Sequence, residues 1–355
     1  RMHNKLLLAD NSVAIVGGRN LGDEYFDAKA EMNFSDLDLM GVGPVAQSLG
    51  QSFDQYWNSR ISRPIEDYLW SDPDLDELDH MRRKLDRYLA KERVKSSSYI
   101  ARLNRNSDRP HLQNWLDDLV WAPGKAVWDT PLKVLDQGDP KGEQLLSTQL
   151  QPLFDNVSKE LILVSAYFVP TNAGAQYLTQ RADRGVSVRL LTNSLEATDV
   201  PAVHAGYAPY RLELLEHGVK LYELRADPDQ RLSGAPWMVR GSSSASLHSK
   251  AAVFDQQKVF VGSLNFDPRS VLWNTEVGII VDSAELADQV RRLALASMSP
   301  SVSYQVKIAP DSDPPRLVWI EERNGHLMEL DREPGNVWRR LNAWIAGAIG
   351  LEKML

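Results

Sequence analysis

The chain has 355 residues, 43% hydrophobic and 25% charged, which is enough for two packed units of ordinary domain size and excludes a disordered or fibrous protein. It has no cysteine, so disulfides, thiolate metal sites and cysteine nucleophiles are excluded. A formal charge of −8 gives no general field for attracting polyanions, and no run of eighteen apolar residues is present to span a bilayer.

From the amino terminus, Arg1-Met2-His3-Asn4-Lys5 leads into Leu6-Leu7-Leu8, then Asp10, then Val13-Ala14-Ile15-Val16 and Gly17-Gly18-Arg19-Asn20. Apolar runs on either side of Asp10-Asn11-Ser12 predict two strands joined by a tight turn. With a strand period of two, His3 and Lys5 point the same way and can converge on one phosphate. The small pair Gly17-Gly18 lets the second strand end with little Cβ hindrance, bringing Asn20 within reach of a phosphate oxygen.

Further along, Leu75, Leu78, Met81, Leu85 and Leu89 fall on one face of a predicted helix that begins at Ser71-Asp72-Pro73, and core packing is the expected role of that face. Arg82, Arg83 and Lys84 stand among Asp76, Glu77, Asp79 and Asp86, so they read as a solvated mixed face rather than a binding patch. Residues Glu160 to Phe168 and Val186 to Asn193 predict strands, separated by a helix from Gly174 to Arg184. The Gly- and Ser-rich stretch Ser233 to Ser246 reads as a flexible loop placed to gate a site.

That loop opens into a second copy of the first pattern. Leu247-His248-Ser249-Lys250 is followed by Ala251-Ala252-Val253-Phe254, Asp255, Val259-Phe260-Val261 and Gly262-Ser263-Leu264-Asn265. Every spacing matches: His-x-Lys, four residues, Asp, six residues, Gly, two residues, Asn. One His-x-Lys carries no information, but five polar or glycine positions repeated at the same spacing inside the same strand-turn-strand pattern do. Beyond the repeat, Trp338, Leu341, Trp344, Ile345, Ala348 and Ile349 share one face of a predicted terminal helix over 336–355, a pattern fit for a membrane interface or for docking on the core.

If the ligand on which these residues converge is a phosphodiester, its chemistry explains why two histidines are needed. The anion repels nucleophiles, so a site needs cations, a nucleophile and an acid for the leaving alkoxide. Lys5, Lys250, Asn20 and Asn265 supply positive charge and hydrogen bonds. One imidazole attacks phosphorus while the other protonates the departing alcohol and then activates the acceptor. His3, Lys5, Asp10, His248, Lys250 and Asp255 are therefore the candidate catalytic set, with Asn20 and Asn265 as phosphate ligands and Gly17, Gly18, Gly262 and Ser263 in support. Asp10 and Asp255 occupy the turns beyond the site strands, where orientation and structure are favoured over direct chemistry. No metal and no cofactor are expected.

At these residues the chain resembles the phospholipase D superfamily, whose signature is this His-Lys-Asp pattern in two copies. Gly17 to Phe26, Ser165-Ala166-Tyr167-Phe168-Val169-Pro170 and Asn265-Phe266-Asp267-Pro268-Arg269-Ser270 look like bacterial cardiolipin synthases, in the branch that also carries Thr198-Asp199-Val200 and His204-Ala205-Gly206-Tyr207. The resemblance implies an α/β fold: two α/β/α sandwich halves related by a pseudo-twofold axis, with mixed β-sheets flanked by helices. It implies that His3 is the nucleophile and His248 the acid and then base, and it places Asp36 behind one histidine and Glu276 behind the other. It also implies phosphatidyl transfer between phospholipids, with phosphatidylglycerol as substrate and phosphatidylethanolamine as a second candidate, at the inner face of a bacterial cell membrane to which the protein is peripherally bound. Phospholipids and the membrane surface are then the partners, with no nucleic acid and no obligatory protein partner. The alternative is a hydrolase, a phospholipase or less favourably a nuclease, in which water releases the same phosphohistidine.

The two copies divide the chain unequally. The expected organisation is the later part of a first half over 1–60, a helical insertion and linker over 61–145, a second half over 146–300, and a tail over 301–355. Residues 150 to 247 precede His248, whereas two residues precede His3, so a strand-helix-strand lead-in is expected upstream of the first copy and the chain reads as amino-terminally incomplete.

Overall fold

Both copies of the repeat fold as β-hairpins, and the rest of the chain is arranged around them. The first half runs β1 (Leu6–Ala9), β2 (Val13–Gly17), β3 (Met32–Ser35), β4 (Asp38–Val42) and α1 (Pro44–Trp57). α2 (Leu75–Lys95) follows. Next come β5 (Gly124–Trp128), α3 (Leu132–Leu135), α4 (Leu146–Asn156), β6 (Glu160–Ser165), α5 (Thr171–Asp183), β7 (Ser187–Asn193), α6 (Pro201–Tyr207), α7 (Arg211–Glu216) and β8 (Lys220–Leu224). The remainder is β9 (Ser244–Leu247), β10 (Lys250–Phe254), β11 (Lys258–Gly262), α8 (Pro268–Leu272), β12 (Val277–Asp282), α9 (Ala284–Ser297), β13 (Ser303–Ile308), β14 (Leu317–Arg323) and β15 (His326–Leu330). This computed structural model describes residues 1–26, 32–69, 74–95, 119–135, 142, 145–227 and 244–341. They form two units, one of Arg1–Gln55 with Ala122–Leu355, the other of Tyr56–Trp121.

The first unit has the expected α/β architecture. Ten strands form one mixed sheet in the order β15-β14-β13-β8-β7-β6-β10-β11-β12-β5, beside a three-stranded sheet β1-β2-β4 and a parallel pair β3-β9. β6, β7 and β8 are parallel neighbours connected through helices, and β6 meets β10 antiparallel with Lys250 opposite Ser165. Along β6 and β10 every residue is buried, and successive side chains enter opposite cores: Leu161, Leu163, Ala252 and Phe254 on one face, Ile162, Val164, Ala251 and Val253 on the other. That pattern is why both strands read as continuous apolar runs. The second core is shared, because Ala14, Val16, Ala46 and Leu49 of the first half pack there with Val261 and Ile279 of the second.

Local residue chemistry sets the boundaries. Asp10 and Asn11 in one hairpin, and Asp255 and Gln256 in the other, occupy the left-handed region with φ of 51° to 59°, which Asp and Asn tolerate better than most side chains. Ser283 caps α9 by accepting from Leu286 N at 3.2 Å. Asp267 caps α8 by accepting from Ser270 N at 2.8 Å, with Pro268 at the first helical position.

Several expectations meet a different arrangement. β5 lies inside the stretch expected as linker, 61–145, yet it is one edge of the large sheet, paired with β12; β13, β14 and β15 lie inside the expected tail and form the other edge. The apolar stripe of α2, expected to pack in a core, is exposed, with Leu75 at 79% and Met81 at 57%. Its cap is Asp74, whose carboxylate accepts from Glu77 N at 2.8 Å, while Ser71-Asp72-Pro73 lie outside the described residues. Of the expected loop Ser233 to Ser246, residues 244–246 belong to β9 and the rest lie outside the described residues, as do Trp344, Ile345, Ala348 and Ile349 of the expected terminal helix.

Candidate active site

Two short parallel pairings between distant segments build the site. β3 pairs with β9 so that Ser35 stands opposite Leu247, and His248 N donates to Ser35 O at 2.7 Å. The next residue, Asp36, is thereby delivered to His248, where its Oδ2 meets Nδ1 at 2.8 Å. The same device recurs on the other side. Met2 bridges Thr275 in parallel, His3 N donates to Thr275 O at 3.0 Å, and Glu276 meets His3 Nδ1 at 2.8 and 2.9 Å. Each histidine is thus backed by a carboxylate of the opposite half.

With Nδ1–H donated to the carboxylate, each imidazole keeps a lone pair on Nε2. Lys5 Nζ donates to His3 O at 2.9 Å, and Lys250 Nζ donates to His248 O. The lysines lie on the histidine side of each strand, as the two-residue period requires. Burial disfavours every charge in this cluster. It holds the His3 imidazole down at about 2, with Lys5 and Lys250 adding repulsion, and it pushes His248 well below the ordinary histidine range. Burial also raises the Asp36 carboxyl to about 6 and that of Glu276 to about 8, against the pull of nearby cations. Lys5 falls to about 8 through burial and repulsion from Lys250. The ammonium groups of part-buried Lys5 and buried Lys250 repel each other, a repulsion that a bound anion would relieve.

The glycines serve a purpose that the hairpin pattern did not indicate. A Cβ on Gly18 would stand 2.3 Å from Asp36 Oδ1 and 2.6 Å from His248 O, so its bare backbone makes room for the carboxylate itself. A Cβ on Gly17 would stand 2.2 Å from Asp38 Oδ1, and one on Gly262 would stand 2.4 Å from Val277 O. At the position equivalent to Gly18, Ser263 donates its Oγ to Glu276 Oε2 at 2.6 Å. The asparagines differ as well: Asn20 is exposed and its Nδ2 donates to Tyr25 Oη at 2.6 Å, whereas Asn265 is buried.

Asp10 and Asp255 are not brought to the site. Each follows its lysine by five strand residues, roughly 17 Å at the usual rise. Asp255 accepts from the backbone N–H of Lys159 at 2.7 Å and of Glu160 at 2.9 Å, fixing the start of β6, and Asp10 is an exposed turn residue. These positions hold the hairpin turns, in line with orientation and structure rather than chemistry.

Other site-forming residues gave no signal in the sequence. Asp129 accepts from Glu276 N at 2.7 Å, and Lys133 Nζ bonds Asp129 Oδ2 at 2.9 Å and Ser270 O at 3.0 Å, all buried. Asp129 and Lys133 are spaced i,i+4, a spacing that ordinary surface ion pairs share. The rings of Tyr25 and Phe34 each lie 5.1 Å from that of His248.

Several known proteins are similar to this chain. The family described as "Cardiolipin synthase, PLD-like domain" matches residues 150–295. The solved phosphatidylserine synthase of Haemophilus influenzae Rd KW20 shares the fold, with a TM-score of 0.54 at 13% identity over 99% of this chain and 70% of that one. Cardiolipin synthase C of Escherichia coli (strain K12) is 35% identical over 100% of this chain and 73% of that protein. Cardiolipin synthase 1 of Staphylococcus aureus (strain MRSA252) is 23% identical, and the chain spans 45% of its length. The class is that of the phospholipase D superfamily phosphatidyltransferases. Within it, the chain belongs to the cardiolipin synthase-like family.

Proposed function

We propose that this protein passes a phosphatidyl group from one phospholipid to a hydroxyl of another, making cardiolipin from phosphatidylglycerol, with phosphatidylethanolamine as a further substrate. The observation that supports this most directly is the reciprocal pair His3–Glu276 and His248–Asp36, flanked by Lys5 and Lys250. In this reading His3 Nε2 attacks phosphorus, the bond from phosphorus to the headgroup oxygen breaks, and His248 gives its proton to that oxygen. His248 then takes the proton of the incoming hydroxyl, whose oxygen attacks phosphorus and releases His3. A bound phosphodiester raises the imidazole pKa of His248 by its charge, so the acid forms when substrate is present. Lys5, Lys250, Asn20 and Asn265 stabilise the charge that builds on the non-bridging oxygens.

The protein acts as a peripheral enzyme on the inner face of a bacterial membrane. Among the described residues no helix is long and apolar enough to cross a bilayer, and Val337 and Trp338 are exposed where the terminal helix begins. Mass spectrometry of the lipids formed when the full-length protein is incubated with phosphatidylglycerol vesicles, with and without phosphatidylethanolamine, tests the reading. Cardiolipin with released headgroup alcohol supports it; phosphatidic acid alone makes the protein a hydrolase.

A further inference from the structure

At the edge of the histidine cluster lies a carboxylate that phosphate chemistry does not use. Lys250 pairs with Ser165 across β10 and β6, and Tyr167 follows two residues beyond the end of β6. Tyr167 Oη donates to Asp199 Oδ2 at 2.7 Å. Asp199 belongs to the loop that leaves β7, the parallel neighbour of β6. Asn193, the last residue of β7, ties this loop to the strand before His248: its Nδ2 donates to Leu247 O at 2.9 Å and its Oδ1 accepts from Leu247 N at 2.8 Å.

The loop is also held from outside. Thr198 N donates to Ser194 O at 3.0 Å, and Arg339 Nη1 donates to Thr198 O at 2.6 Å and Leu195 O at 3.2 Å. Asp199 itself remains exposed, and its charge is felt at both His248 and Lys250. A fixed negative charge here repels an anionic donor and adds nothing to transition-state neutralisation, so phosphate binding does not explain it. The remaining reactant is the headgroup alcohol, which leaves or enters on the His248 side. A carboxylate accepts from a hydroxyl and attracts an ammonium, and it repels a second anionic group.

We propose that Asp199, held by Tyr167, selects the headgroup alcohol, favouring hydroxyl-rich or ammonium-bearing alcohols over those with an added negative charge. This rests on the phosphatidyl-transfer reading above. Ethanolamine and serine provide the test, since they differ by one carboxylate. The full-length protein is given both as competing acceptors over phosphatidylglycerol vesicles, as wild type, Asp199→Asn and Tyr167→Phe. The wild type should favour ethanolamine, and Asp199→Asn should reduce that preference about tenfold while phosphoenzyme formation changes less than about threefold. Tyr167→Phe should shift it in the same direction by less. A preference unchanged within about twofold in Asp199→Asn, or an equal loss with both alcohols, overturns the assignment. A wild type that only hydrolyses overturns the transfer reading instead. The ratio is then measured on departing headgroups, phosphatidylethanolamine against phosphatidylserine, where the same reduction supports Asp199 and an unchanged ratio overturns it.

Discussion

The two hairpins of the repeat have the same sequence pattern and different surroundings. β10 is flanked by β6 and β11 and is buried throughout, whereas among the described residues β1 pairs only with β2 and leaves Leu7 65% exposed. The histidine environments are nevertheless alike, with a carboxylate at 2.8 Å from Nδ1 in both. The support of each histidine therefore comes from the opposite half through the β3–β9 and Met2–Thr275 pairings, and depends little on how deeply its own strand is embedded.

The largest expected effect is on the histidines. Replacing either His3 or His248 by Ala should lower turnover by about 10⁴. Only His3→Ala should also prevent trapping of a covalent phosphoenzyme on denaturing gels. Equal trapping in both variants would remove the proposed division of labour. Next come the lysines: Lys5→Ala or Lys250→Ala should each cost on the order of 10²–10³ in rate, as for loss of one transition-state stabiliser. A loss under about tenfold for both would mean that neither faces phosphate.

Gly18 and Ser263 separate the halves further. Gly18→Ala forces a Cβ against both Asp36 and a backbone carbonyl, and should cost about 10² by displacing the His248 pair. Ser263→Ala removes one hydrogen bond to Glu276 and should cost about tenfold. Steady-state rates that reverse this order would show the two positions are not equivalent in the way the superimposed spacing implies.

The smallest effect is on stability, and its sign follows from the raised carboxyls. Burial lifts Glu276 from 4.5 to about 8 and Asp36 from 3.8 to about 6, so the folded protein holds these protons more tightly than the unfolded chain. The stability each contributes is present below its unfolded pKa and lost as pH rises through the folded one. Glu276→Gln stays neutral and escapes that loss. Its melting temperature relative to wild type should rise by about 5 °C between the two values for Glu276 and level off above the higher. For Asp36→Asn the rise should be smaller and end nearer pH 6. A relative melting temperature that falls with pH in either variant contradicts this assignment.

Much of this was readable from local pattern. The repeat, both hairpins, β6 and β7 rest on short apolar runs and turn residues close in sequence. Which carboxylate serves which histidine was not readable, because His248 and Asp36 meet across 212 positions and the β3–β9 pairing that joins them has no local signature. The sheet edges escaped for a similar reason. β15 has the burial pattern of an exposed strand, and β5 begins with Gly124-Lys125, so neither shows the apolar run of a central strand. Asp129 and Lys133 gave only an i,i+4 pair in a stretch read as linker, and their meaning appears once Glu276 N is found on Asp129.

The reciprocal exchange of carboxylates also has a consequence for how activity is lost. Separating the halves by even a small opening takes Asp36 from His248 and Glu276 from His3 in the same motion. No intermediate with one working histidine lies on that path, so inactivation in denaturant should be a single step that coincides with loss of docking between the hairpins, ahead of the melting of the ten-stranded sheet. Enzyme activity then becomes a more sensitive gauge of that docking than any measure of secondary structure.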